Sequence, residues 1–138
     1  MLFRLADNTD ASSLASRLRK RRMMKFAELL RGATGEVRIL DVGGTPQFWL
    51  RNREEMPVSV SVTLLNLDFE DQPDAPWIRR VVGDARRMEM FDSEEFDMCF
   101  SNSLIEHFGS LAEQSLAARE IRRVARGYFV QTDRKSVV

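Results

Sequence analysis

The 138-residue chain contains a single cysteine, Cys99, and a single histidine, His107. One thiol can neither close an intramolecular disulfide nor build a thiolate metal cluster, which excludes a disulfide-stapled scaffold and a zinc ribbon and leads us to expect a reducing, cytoplasmic setting. No acidic pair or histidine cluster has metal-ligand spacing, so no metal is expected. Charge of one sign is missing as well. Lys plus Arg and Asp plus Glu both number 21, so no overall field draws the chain to nucleic acid or an anionic membrane, and neither partner is expected. Nowhere do about 18 apolar residues follow one another, and the start, Met1 to Asn8, turns polar too early for a signal peptide. Internal repeats and low-complexity tracts are absent, which excludes solenoids.

What is present is a core's worth of apolar side chains, 43% of the residues, beside 30% charged ones. At this length that means one globular domain, residues 1–138. Residues 10–31 carry Leu14, Leu18, Phe26, Leu29 and Leu30, with Asp10, Ser12 and Ser13 as caps and Gly32 as a stop, and predict a helix. Short β-prone runs follow at 37–42, 60–66, 78–82 and 96–102. Thr45 and Pro46 suit the start of a short helix. Residues 111–126, with Leu111, Leu116, Ile121 and Val124, predict another helix that Gly127 ends, and Tyr128 begins a fifth strand. Helices between strands that are apolar on successive residues favour an α/β fold: a doubly wound, mostly parallel sheet with helices on both faces. Ligands then bind beyond the carboxyl ends of the strands, which draws attention to 41–45, 66–68, 83–85 and 101–103.

The turn Asp41-Val42-Gly43-Gly44-Thr45 lies between a strand and a helix, where glycines let backbone approach a ligand. A dinucleotide fingerprint would need glycine at 45 and 48, where Thr45 and Phe48 stand, and no Gly-Lys-Ser/Thr follows. Both the NAD and the nucleoside-triphosphate readings are thereby weakened.

Four segments together resemble the class I S-adenosylmethionine-dependent methyltransferases, in particular the bacterial type 11 group. They are Ile39-Leu40-Asp41-Val42-Gly43-Gly44-Thr45, the strand end Val62 to Asp68, Gly83-Asp84-Ala85, and Phe96 to His107, the most specific of the four. Their order matches the family over 37–132, the expected cofactor-binding core, with 133–138 as a tail. The resemblance implies S-adenosylmethionine as cofactor. Asp41, Gly43 and Gly44 would face its methionine end. The family's ribose-binding acid is replaced by Asn66, with Asp68 two residues on, so either could serve. Asp84 would accept from the adenine amine while the Ala85 amide donates to the ring, and Asn102 would pass beneath the methyl donor.

Glu106 and His107 are the candidates for proton removal, although the pair also suits a helix start, where an acid favours the dipole. The cations Arg17, Arg19, Lys20, Arg21, Arg22 and Lys25 spread around a helix, which argues for a solvated face over a nucleic-acid stripe. Cys99 and the two tryptophans suit packing. The family's sheets have seven strands and this chain supplies about five, so a C-terminal truncation is expected, with an open fifth strand inviting self-association. Two functions follow: methyl transfer from S-adenosylmethionine to an unidentified small-molecule or macromolecular acceptor, or a truncated, inactive binding or interaction module.

Overall fold

The computed structural model describes residues 11–102 and 107–131. Helix α1, Ala11–Leu30, ends as expected at Gly32, whose φ of +89° is a left-handed stop that glycine takes without strain. Its buried side is Met23, Phe26, Ala27 and Leu30, an i, i+3, i+4, i+7 stripe. Leu14, Leu18 and Leu29, which helped to mark the helix in the sequence, are exposed. At about 100° per residue they fall on the side of the helix turned away from the stripe that meets the sheet.

Strands β1 (Val37–Val42), β2 (Val60–Asn66), β3 (Ile78–Val82), β4 (Phe96–Asn102) and β5 (Ala125–Gln131) form one sheet in the order β3-β2-β1-β4-β5. Every pairing is parallel. The order reverses between β1 and β4, and a crevice opens there beyond the carboxyl ends. Helix α2, Pro46–Asn52, starts where Thr45 Oγ1 accepts from the Phe48 amide at 3.4 Å, with Pro46 in the first turn, and runs into a 3-10 turn at Arg53–Glu55. Helix α3, Leu111–Val124, is capped by Ser110, which accepts from the Glu113 amide at 3.2 Å.

Alternation along the strands splits the core in two. Ile39, Val62 and Leu64 pack with Phe26 and Trp49 under α1 and α2, while Leu40, Val42, Leu65 and Cys99 pack with Ile121 and Val124 of α3. Helices therefore cover both faces, but not between every pair of strands. The connections β2–β3 and β3–β4 contain none. Helix α3 braces the second of them with two side chains. Arg123 donates to Met88 O at 2.7 Å and Phe91 O at 2.9 Å, and Glu120 accepts from the Met88 amide at 2.6 Å.

The end of α3 also differs from expectation. The helix stops at Val124, β5 begins at once with Ala125, and Gly127 lies inside the strand. A Cβ there would come within 3.3 Å of Met98 Cε, so the glycine serves close packing against β4 and is no helix stop. Of the apolar residues that mark α3 in the sequence, Ile121 and Val124 are buried, together with Ala117, while Leu111 and Leu116 are exposed. No described helix is long and apolar enough to cross a membrane.

Candidate functional site

The turn after β1 is shaped by its two glycines. Gly43 has φ +83° and its amide donates to Leu65 O at 2.9 Å, tying the turn to β2. A Cβ on Gly44 would fall onto the Asp41 carboxyl group, so only glycine lets the backbone lie across that side chain. Two hollows meet at Gly43. One, of about 150 Å³, is lined by Asp41, Gly44, Thr45, Phe48, Phe100 and Asn102. The other, of about 420 Å³, runs along the ends of β2 and β3 past Asn66, Asp68, Asp84 and Ala85 to His107 and Phe108. A larger hollow of about 540 Å³ lies away from the strand ends, along α1 between Lys20 and Arg31.

Asp41 is 2% exposed and accepts from the Trp49 indole N–H at 2.6 Å. Loss of water pushes its carboxyl up to about 7, and the Trp49 bond offsets only part of that. Asn66 donates from Nδ2 to Gly44 O at 2.8 Å, which orients the amide and leaves its Oδ1 as the acceptor it can offer. Asp68 is exposed at the cavity rim. Asn102 Oδ1 accepts from Arg22 of α1 at 3.4 Å, so α1 reaches the end of β4.

Asp84 is held by its near neighbour Arg86. Nε donates to Oδ1 at 2.9 Å and Oδ2 at 3.1 Å, Nη2 donates to Oδ2 at 2.6 Å, and the Arg86 amide donates to Oδ1 at 2.8 Å. These bonds hold the Asp84 carboxyl below the usual carboxylate range and raise the Arg86 guanidinium. Arg86 Nη1 also donates to Glu113 Oε1 at 3.1 Å.

The structure thus brings Asp41, Gly43, Gly44, Asn66, Asp68, Asp84, Ala85 and Asn102 around two adjoining hollows. His107 lines the larger one, at its Phe108 end, while Glu106 lies outside the described residues. Cys99 is buried, and burial pushes its thiol up, away from nucleophilic use. Among the described residues no three His, Cys, Asp or Glu side chains gather to hold a metal. Trp49, Arg22, Arg86 and Glu113 were missed from sequence. Only the Asp84-Ala85-Arg86 spacing carried a signal, since an arginine two residues after a turn aspartate can fold back onto it.

The donor set suits an adenosyl group joined to an amino acid. A flat backbone cradle sits at the centre, acceptors lie along the larger hollow, and a carboxyl group closes the smaller one. Sequence and structure comparisons agree with this chemistry. The profile of a methyltransferase domain family matches residues 40–130. No curated protein sequence matches the chain. The fold is similar to the PH0226 protein from Pyrococcus horikoshii OT3, with 20% identity and a TM-score of 0.60, covering 91% of this chain and 61% of that one. It is similar to a SAM-dependent methyltransferase from Methanosarcina mazei, with 18% identity and a TM-score of 0.55 over 71% and 53% of the two chains. It is also similar to the [4+2]-cyclase SpnF, with 21% identity and a TM-score of 0.53 over 75% and 40%. The chain thus spans between 40% and 61% of these neighbours' lengths, and a cyclase among them shows that this fold serves more than one reaction. The family profile covers well over half of the chain, and the strand order and glycine turn accord with it: the chain belongs to the class I S-adenosylmethionine-dependent methyltransferase family.

Proposed function

We propose that the chain binds S-adenosylmethionine across the β1–β4 switch point and passes its methyl group to an acceptor held beyond β4. When bound, the cofactor supplies a sulfonium-activated methyl that a nucleophilic oxygen, nitrogen or carbon takes by in-line displacement. The observation that carries this reading is the meeting of two hollows at the Gly43 backbone, a larger one with nucleoside-type acceptors and a smaller one closed by Asp41.

In this reading Asp84 and the Ala85 amide hold adenine, and Asn66 Oδ1 and Asp68 share the ribose hydroxyls, the pair replacing a single acid. Gly43 and Gly44 carry the methionine end. Trp49 already bonds the Asp41 carboxyl, which shapes the turn, and an ammonium brought beside it favours the ionised form that burial alone disfavours. Asn102 closes the methyl side. No described residue takes the part of a base: His107 lies at the nucleoside end, and catalysis rests on holding donor and acceptor in line. A cytoplasmic location suits the single buried thiol. Self-association through β5, which pairs only with β4 among the described residues, belongs to the same proposal. The reading as an inactive interaction module has no structural feature of its own in support.

Calorimetric titration with S-adenosylmethionine and S-adenosylhomocysteine tests the reading. Saturable micromolar binding that Asp84→Ala abolishes is the expected result. Folded protein that gives no heat with either compound overturns it, and displacement by NAD returns the site to a dinucleotide.

A further inference from the structure

In the proposed cofactor site, the group that should receive the adenine amine is already engaged by three N–H groups of Arg86. The Asp84 carboxylate has about four acceptor positions, two on each oxygen. Oδ1 takes the Arg86 amide and Nε, and Oδ2 takes Nε and Nη2, all between 2.6 and 3.1 Å. The single Nε hydrogen is shared by both oxygens, so three Arg86 N–H groups cover the carboxylate, and an incoming amine gains a full bond only by displacing one of them. Yet the same guanidinium has a second anchor. Nη1 donates to Glu113 Oε1 at 3.1 Å, and the group sits 5.8 Å from the Phe108 ring on the cavity wall. Glu113 is itself held, since its Oε2 accepts from the Gly109 amide at 2.8 Å and its own amide caps α3 through Ser110. One cation therefore bridges a ligand-facing acid and a fixed acid on the far wall.

We propose that Arg86 is a latch on the adenine position, which opens by giving up Asp84 and staying on Glu113. On opening, Nε and Nη2 leave the carboxylate, the adenine N–H groups take their place, and the bond from the Arg86 amide to Oδ1 keeps Asp84 aimed into the cavity. Nothing covalent changes. Arg86 touches no reacting atom and is a positioning residue. Because adenine is common to donor and product, the exchange weakens both alike, and its effect falls on how fast the product leaves. The latch also lowers selectivity for the base, since the free energy of forming the amine contact is offset by the ion pair it breaks.

This inference rests on the proposed cofactor reading, and one set of titrations separates the two. S-adenosylhomocysteine and S-inosylhomocysteine, which carries an oxygen in place of the amine, are titrated into the wild-type chain, Arg86→Gln and Glu113→Gln, with near-ultraviolet circular dichroism confirming that each is folded. In Arg86→Gln the latch is gone, so S-adenosylhomocysteine binds about tenfold tighter and its preference over the inosyl compound widens by a similar factor. In Glu113→Gln the opened arginine loses its anchor, so S-adenosylhomocysteine binds several-fold more weakly. A merely structural ion pair would weaken binding in both variants. Wild-type binding with Arg86→Gln equal or weaker overturns the latch and leaves the cofactor reading standing. Absence of binding in the wild-type chain and in both folded variants overturns the cofactor reading, and the latch with it.

Discussion

Asp41 and Asp84 stand on opposite sides of Gly43, each just past or at the end of a parallel strand, and their surroundings push them in opposite directions. Asp41 is sealed beneath Gly44 with one donor, the Trp49 indole, and lost hydration raises its carboxyl to about 7. Asp84 is half-buried at the cavity, held by three N–H groups of one arginine, and those bonds lower it. Burial makes the first a part of the scaffold and disfavours its charge; pairing makes the second a recognition group whose availability is governed by a neighbour. A strand-end aspartate does not by itself say which of these it is.

The heaviest blow to this contrast is Trp49→Ala. Trp49 is fully buried among Phe26, Phe48 and Phe100, with ring centroids 6.0, 5.2 and 5.4 Å away, and it supplies the donor to Asp41. Chemical denaturation should show a loss of about 3–5 kcal/mol, typical for removing a buried aromatic ring. Water admitted to the gap should bring Asp41 back toward an ordinary carboxyl, which narrows its difference from Asp84.

Asp41→Asn sharpens the contrast without emptying the core. A carboxyl raised on folding adds stability that is complete below its unfolded value near 3.8 and is lost as pH rises through about 7. Linkage converts that difference to at most about 4 kcal/mol. Thermal melts of the wild-type chain should therefore fall between about pH 4 and 7, and Asp41→Asn should lack that fall, so that the variant gains on the wild type as pH rises. Parallel curves for the two proteins would show that Asp41 does not titrate in this window.

Asn66→Ala probes the backbone that joins the two sides. The amide bond to Gly44 O, 2.8 Å long, steadies the turn that roofs Asp41 and faces the larger hollow. Its loss should reduce stability by about 1 kcal/mol in urea titrations, the usual worth of one hydrogen bond. Under the proposed ribose role it should also weaken S-adenosylhomocysteine, which calorimetry reads separately.

The strands and the glycine turn were legible because alternation, β-branching and turn chemistry are local signals. All of the first four strands fall where their residues place them. The boundary at Gly127 misled because a glycine after an apolar helix resembles a stop, whereas its reason is the Met98 side chain one strand away. Leu14, Leu18 and Leu29 marked the helix correctly, but their exposure was not legible, because apolar character does not say which side of a helix meets the sheet. In the site, Asp41, Gly43, Asn66 and Asp84 were legible as strand ends, but their partners were not. Trp49 returns to Asp41 across a turn and a helix, Glu113 comes from beyond β4, and Arg22 arrives from α1. Such meetings depend on tertiary packing, which a single sequence does not print.

The smallest effect should come from Asp84→Asn, and its sign is the opposite of that at Asp41. A carboxyl lowered on folding adds stability that is present above its unfolded value near 3.8 and disappears as pH falls through the folded one. The variant should therefore melt slightly below the wild type at neutral pH and converge with it in acid, whereas Asp41→Asn converges in acid and rises above the wild type near pH 7. The amplitude should be smaller than for Asn66→Ala, because the Asp84 and Arg86 side chains are 31% and 34% exposed and water screens the pair. Melting curves between about pH 3 and 8 for both variants settle the matter. A neutral-pH loss at Asp84 as large as that of Trp49→Ala would mean that the ion pair holds the fold together, and the distinction between a scaffold aspartate and a recognition aspartate would then fail.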